Sequence, residues 1–170
     1  MSPIRALRPA DLPALLRVQL ACYGPGFNET EAVFAARLRQ SPQTAWCVDD
    51  TARPGELAAY LVGYPSRFGK ITPLHGEFEP ALSPDCLYLH DLAVSPLCQG
   101  QALGPRLVRH AWAEAQRLWG LQVSALVAVQ GSLPFWQRLG YRVLEPQEGE
   151  MQRGLAGYGP DARYCVLQSG

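Results

Sequence analysis

The chain has 170 residues, 48% of them hydrophobic, with a mean hydropathy of −0.07. That composition suits one ordinary globular domain and excludes a disordered chain. Fifteen basic residues balance fifteen acidic ones, so the sequence carries no overall charge signature for nucleic acid. The start, Met1-Ser2-Pro3-Ile4-Arg5, lacks the layout of a signal peptide, and no apolar run approaches the roughly 18 residues of a membrane helix. The expected setting is the cytoplasm, with neither nucleic acid nor membrane among the partners.

Ile4–Arg8 alternates enough for a short strand that Pro9 ends. Asp11 then suits an N-cap, with Pro13 in the first turn and Leu12, Leu15, Leu16 and Leu20 as the apolar stripe. Gly24-Pro25-Gly26 breaks that helix. Asn28 can cap a second helix, with Glu29 and Glu31 in its first turn and Val33, Phe34 and Leu38 on its apolar face. Thr44–Val48 and Leu57–Tyr64 read as strands, and Pro65–Pro84 as a loop of the length that usually serves a function.

Cys86–Val94 is the clearest strand, terminated by Pro96. Gln99–Gly104 reads as a turn and Leu103–Leu118 as a helix, its apolar residues recurring at helical spacing until Gly120 closes it. Leu121–Val129 is a further strand, Ser132–Leu139 a short helix, and Tyr141–Leu144 another strand. Glu145–Pro160 reads as loop before a last strand at Arg163–Leu167. The order β-α-α-β-β-β-α-β-α-β-β, without linker or repeat, predicts one α/β (α+β) domain spanning 1–170. Cys22, Cys47, Cys86, Cys98 and Cys165 form no C-x-x-C pair, and their odd number fits reduced, mostly buried thiols. His75, His90 and His110 show no metal-ligand spacing, so no metal is expected.

The informative stretch runs Leu89-His90-Asp91-Leu92-Ala93-Val94-Ser95-Pro96-Leu97-Cys98-Gln99-Gly100-Gln101-Ala102-Leu103-Gly104. A strand enters a small-residue turn and then a helix. Outward-pointing N–H groups and the helix start together favour an anion such as a pyrophosphate. A helix cap with no ligand is the alternative for this feature alone. The chain has neither G-x-x-x-x-G-K-[ST] nor G-x-G-x-x-G.

This stretch resembles motif A of the GCN5-related N-acetyltransferases, the GNAT superfamily. Their Gln or Arg, two residues, Gly, one residue, then Gly or Ala is matched by Gln99-x-x-Ala102-x-Gly104, with Ala102 departing from the usual Gly. Leu92-Ala93-Val94 before Ser95-Pro96 resembles the end of the family's fourth strand. Phe135-Trp136-Gln137-Arg138-Leu139-Gly140-Tyr141 resembles its F-Y-x-x-x-G-F element.

The resemblance implies a mixed, mostly antiparallel sheet of about seven strands, with the fourth and fifth splayed, flanked by about four helices. It implies acetyl-CoA as cosubstrate and an amine as acceptor. The pantetheine arm would pair with the backbone of Leu92, Ala93 and Val94, and Gln99, Gly100, Gln101, Ala102, Leu103 and Gly104 would hold the pyrophosphate. The Leu92 N–H would polarise the thioester carbonyl. Gln130, Ser132 and Trp136 would lie beside the arm. Trp136 stands where many members carry a tyrosine and Val129 where many carry an asparagine, so no ordinary acid for the departing thiolate is evident. A CoA-binding regulatory or catalytically weak domain is therefore the alternative function.

His90 is the candidate general base, with an ordinary pKa near 6.5. The string Leu89-His90-Asp91-Leu92-Ala93-Val94 is similar to the L-H-x-L-A-V of the arylalkylamine N-acetyltransferases, where the histidine is catalytic. A packed structural histidine is the competing reading. Regular alternation places Tyr88, His90, Leu92 and Val94 on one face and Asp91 on the other, unless the strand bulges and brings Asp91 to the acceptor pocket. Tyr88, Phe27 and Tyr60 are candidate substrate contacts, and a small-molecule amine is favoured over a protein. His110 is expected to face solvent and His75 to lie on the surface. Acceptor identity is not legible, and monomer and homodimer stay equally open.

Overall fold

The computed structural model describes residues 2–147 and 149–169. In chain order it contains β1 (Ile4–Ala6), α1 (Leu12–Cys22), α2 (Glu31–Gln40), β2 (Ala45–Asp49), β3 (Leu57–Ser66), β4 (Cys86–Val94), α3 (Leu103–Trp119), β5 (Val123–Ala128), α4 (Leu133–Arg138), β6 (Arg142–Val143), α5 (Glu150–Ala156) and β7 (Arg163–Gln168). The strands form one seven-stranded sheet in the order β1-β2-β3-β4-β5-β7-β6. Every described neighbour pair is antiparallel except β4 and β5. No helix among the described residues is long and apolar enough to cross a membrane.

Two apolar layers clamp this sheet. Leu12, Leu15 and Val18 of α1 and Phe34 and Leu38 of α2 pack on one face, joined by Met151 and Leu155 of α5. Leu103, Leu107, Val108, Ala111 and Ala115 of α3 pack on the other, with Trp136 of α4. The helical spacing of the α3 residues is the reason: it gathers them on one stripe, which must be buried. Gly120, in the left-handed region at φ +65°, ends that helix as its position in the sequence suggests. All five cysteines are free, and four of them are buried.

Several local expectations change. Thr30 caps α2, its hydroxyl accepting from the Val33 N–H, so Asn28 does not. Glu29 therefore lies before the helix and not in its first turn. Asp11 precedes α1 without a side-chain cap, because its carboxylate is taken by the Arg5 guanidinium and the Arg8 N–H. His110 is half-buried, edge-on to Trp46 with ring centroids 5.4 Å apart. The stretch read as loop at 145–160 contains α5. Its seven residues carry one apolar pair at helical spacing, Met151 and Leu155, and an internal Gly154, so the local signal is weak; packing holds it, with Gly154 tight against Ile71.

The β3–β4 connection is tied down at several points. Phe78 stacks on Tyr64 at 4.4 Å between centroids, the Phe68 N–H donates to Asp85, and the Gly69 N–H donates to the Tyr164 hydroxyl. Lys70 pairs with Glu79 at the surface, and Glu77, Glu79 and Asp85 of this loop are all exposed.

Candidate active site

The sheet parts at its parallel pair. β4 and β5 are paired only from Leu87–Ser124 to Leu89–Leu126, although β4 continues to Val94 and β5 to Ala128. Beyond Leu89 one edge of β4 is therefore open. The Ser95 N–H donates to the Ala58 carbonyl at 2.8 Å, which fixes the alternation of the ladder with β3. Ala93 and Asp91 then turn their backbone polar groups to β3, and Leu92 and Val94 turn theirs away from it. Two contacts agree: the Leu92 carbonyl accepts from Tyr23 at 2.8 Å, and the Val94 carbonyl from the Cys22 thiol at 3.2 Å. A cavity of about 800 Å³ occupies this gap.

One end of the cavity is the turn into α3, and all of Gln99–Gly104 lines it. Gly100 lies at φ +82° with no neighbour for a Cβ. Ala102, the N-cap of α3, lies at φ +52° in the left-handed region and offers no side-chain cap. Pro105 has no N–H, and the Arg106 N–H reaches back to the Ala102 carbonyl. The amides of Leu103 and Gly104 have no partner within the helix, which leaves them for an anion. Gly104 is small for packing as well: a Cβ there would meet Phe135 at 3.2 Å. Arg138 of α4 also lines the cavity, a cation overlooked in the motif reading.

Across the gap, Gln130 and Ser132 lie on the lining with Trp136. The Gln130 Oε1 accepts from the Gly24 N–H at 3.0 Å, so this side chain bridges the end of α1 to the turn after β5. Ser132 starts α4 without a side-chain cap bond. Trp136 is buried between Phe135 and Tyr141, and it has no hydroxyl to offer.

The other end is built around a bulge. Gly63 pairs with Leu89 and Val62 with Asp91, so His90 is the extra residue of β4. Gly63 permits this, because a Cβ there would lie 2.6 Å from the Tyr88 carbonyl oxygen. The bulge corrects the face assignment. Tyr88 and Ala93 lie in the α1–α2 layer, whereas Leu92 and Val94 pack with Leu87 and Leu89 on the α3 layer. His90 stands against Phe78 and Tyr88 on the α1–α2 side, and Asp91, its neighbour in sequence, is bonded to Tyr23 and Tyr60 there. Of the candidate substrate contacts, Phe27 lines the cavity, while Tyr60 and Tyr88 are buried behind it.

His90 is held by a buried ion pair. Its Nε2 lies 3.1 Å from Glu29 Oε1, and the Arg37 guanidinium grips both Glu29 oxygens. Their side chains are 2%, 3% and 0% exposed for His90, Glu29 and Arg37. Arg37 also donates to the Gly76 carbonyl, and the His75 N–H donates to Glu29 Oε2, which pins the β3–β4 loop onto this cluster. The His75 ring itself is exposed. Burial pushes the Glu29 pKa up, but the bonds from His90 and Arg37 outweigh it and hold it well below the usual carboxylate range. Burial, helped by the Arg37 charge, lowers the His90 pKa against the pull of Glu29. His90 is then neutral near pH 7. Glu29 as a carboxylate only accepts, so Nε2 carries the hydrogen and Nδ1, which has no partner, keeps its lone pair.

Glu29 and Arg37 carry no signal as site residues in the sequence, whereas Tyr23, an aromatic candidate for the pocket wall, does line the cavity. A buried arginine has no local signature, since only tertiary packing shows that α2 turns Arg37 inward. Gly63 inside an apolar strand was the available signal for the bulge.

A sheet opened between its two parallel strands, with helices layered on both faces, is the fold of the acyl-CoA N-acyltransferases. The chain belongs to the acetyltransferase (GNAT) family, whose model matches residues 12–141. Members of that family are in general acyl-CoA N-acyltransferases. No curated protein sequence matches the chain. Solved structures share its fold at low identity. The ribosomal-protein-S18-alanine N-acetyltransferase from Escherichia coli is 20% identical, with a TM-score of 0.67 over 100% of this chain and 97% of that one. A GNAT family acetyltransferase from Brucella melitensis in complex with acetyl-CoA is 17% identical, with a TM-score of 0.61 over 100% and 89%. The GphF GNAT-like decarboxylase in complex with isobutyryl-CoA is 16% identical, with a TM-score of 0.68 over 98% of each chain.

Proposed function

We propose that the protein transfers the acetyl group of acetyl-CoA directly to the amine of a small molecule, with His90 as general base and the Leu92 N–H polarising the thioester carbonyl. The observation that carries this reading is the buried His90 in the cavity lining, fixed through Nε2 to Glu29 and left with a buried Nδ1 that has no partner. The free amides of Leu103 and Gly104, the left-handed turn and Arg138 suit the pyrophosphate. The open edge at Leu92 and Val94 suits an extended pantetheine arm, which would add to β4 as a strand does.

In this reading the amine enters from the Phe27 and Leu74 side of the cavity. His90 Nδ1 takes a proton from the attacking nitrogen, and Glu29 stabilises the imidazolium that forms. The Leu92 N–H is already fixed by the strand, so it stabilises the developing oxyanion without reorganising. The cytoplasm is the proposed setting, and monomer and homodimer both fit a site contained in one chain.

Thiol release from acetyl-CoA with a panel of small amines tests the reading, for wild type and His90→Ala. Turnover with one amine class that drops by about 10²- to 10⁴-fold in the variant supports it. Turnover that His90→Ala leaves unchanged removes His90 as the base. Trp136, lacking a hydroxyl, motivates the second reading, a CoA-binding regulatory domain. A melting-temperature rise with acetyl-CoA but no turnover across the panel would favour that one.

A further inference from the structure

The cavity wall holds a second proton-bearing pair that the base chemistry leaves unused. Tyr23, at the end of α1, places its hydroxyl 2.7 Å from Asp91 Oδ1 and 2.8 Å from the Leu92 carbonyl oxygen. Tyr60 donates to the other Asp91 oxygen, Oδ2, at 2.9 Å. A phenol owns one proton, and a backbone carbonyl only accepts. If Asp91 were ionised, both neighbours of the Tyr23 oxygen would compete for that single proton, and one short contact would set lone pair against lone pair. If Asp91 is protonated on Oδ1, every contact is satisfied. Asp91 donates to Tyr23, Tyr23 donates to the Leu92 carbonyl, and Tyr60 donates to Oδ2.

The surroundings favour the same state. Asp91 is buried, and burial raises its pKa above the usual carboxylate value. The groups facing it are Tyr23 directly after α1, Tyr60 from β3, His90 beside it and Glu29 ahead of α2. The two phenols and His90 pull the other way, and Glu29 adds to the rise. Cys22, the last residue of α1, lies near this pair and donates to the Val94 carbonyl. The position matters most. The Leu92 carbonyl that Tyr23 touches shares the open edge of β4 with the Leu92 N–H. The pair therefore ends where a thioester bound at that edge would break, and it supplies the acid that Trp136 does not.

We propose that Tyr23 and Asp91 protonate the departing thiolate: Tyr23 gives its hydroxyl proton to the sulfur, and Asp91 reprotonates Tyr23. This rests on the acetyl-transfer reading above. The amine lone pair forms the C–N bond, and the C–S pair leaves on sulfur. The amine proton goes to His90 Nδ1, the Tyr23 proton to sulfur, and the Asp91 proton to Tyr23. The cycle closes when His90 loses its proton to water and Asp91 regains one, so the net transfer is one proton from amine to thiol.

Two measurements on the full chain test the proposal. The infrared spectrum of the ligand-free protein at pH 7 should show a protonated-carboxyl stretch that Asp91→Asn removes and Tyr23→Phe moves to higher frequency. With acetyl-CoA and an amine from the panel, Tyr23→Phe should lower kcat by about a hundredfold with KM for acetyl-CoA unchanged. Both variants should lose the alkaline limb of the kcat profile and keep the acid limb set by His90. A structural role alone would shift KM and Tm and leave both limbs. Absence of the carboxyl band in wild type, or an alkaline limb that survives in both variants, overturns the relay. If the band behaves as expected but no amine is acetylated, the acetyl-transfer reading fails and the catalytic role of the pair with it, while its protonation state stands.

Discussion

The two ends of the cavity are made from different materials. The end at Gln99–Gly104 is backbone: a left-handed turn, two unpartnered amides and a helix start, all within six consecutive residues. The end at His90 is side chain: Tyr23 and Glu29 from the α1–α2 connection, Arg37 from α2, and His90 and Asp91 from a bulge in β4. Backbone sites tolerate change in side chains and suit a ligand recognised by its negative charge and shape. Side-chain sites concentrate charge and protons, and they change with the reaction or the acceptor. The first end is stabilised by local conformation, the second by burial of groups that must remain paired.

Breaking the side-chain end should cost the most. Arg37→Met leaves Glu29 buried with only the neutral His90 and the His75 N–H, and it should destabilise the protein by about 3–5 kcal/mol in urea unfolding, as loss of one partner of a buried pair does. Glu29→Gln should be milder in stability but harmful to function. It keeps the shape but removes the carboxylate charge that pairs with Arg37 and would stabilise the imidazolium, and should lower kcat by roughly 10²-fold in the thiol-release assay.

The two titrating groups of this end should respond to pH in opposite senses. The folded-state pKa of His90 lies below its ordinary value near 6.5, so the folded protein holds fewer protons there than the unfolded chain. Its contribution to stability is present above 6.5 and is lost as pH falls through the lowered pKa, and kcat should fall over the same acid window. Asp91 is raised, so its contribution is complete below about 3.9 and is lost as pH rises through its folded pKa. Urea midpoints of wild type and Asp91→Asn, compared from pH 5 to 9, should therefore converge or cross toward the alkaline side. A constant difference would contradict the assignment.

Changes at the backbone end should be smaller and confined to CoA binding. Gly100→Ala meets no neighbouring atom, so its cost is conformational, about 1 kcal/mol from the left-handed backbone. It should reduce the melting-temperature rise produced by acetyl-CoA and leave the His90 pH limb unmoved. Ala102→Gly should act in the opposite direction and least of all. It relieves the methyl at φ +52° and should raise stability by about 0.5 kcal/mol in the same urea experiment, part of the relief being offset by the added freedom of glycine in the unfolded chain.

What was readable in advance follows from the same contrast. Local signals fixed most elements: Cys86–Val94 and the start of α3 at Leu103 are where periodicity, Pro96 and the small-residue turn put them. Thr30 displaced Asn28 as the cap of α2 because two polar residues competed within one turn, and the sequence does not rank them. α5 is weakly signalled because one apolar pair, Met151 and Leu155, and an internal Gly154 are too little pattern in seven residues.

By itself, then, the amino-acid sequence determined the family, the element order and the turn that suits a pyrophosphate, because each depends on residues adjacent in the chain. It also singled out His90. Only the tertiary structure decided what surrounds that histidine. The bulge opposite Gly63 turned Asp91 toward His90 and sent Leu92 and Val94 to the other face, and the packing of α2 brought Arg37 and Glu29 behind the imidazole. Those are contacts across 8 to 61 positions of sequence, set by how helices lie on a sheet, and no local pattern encodes them.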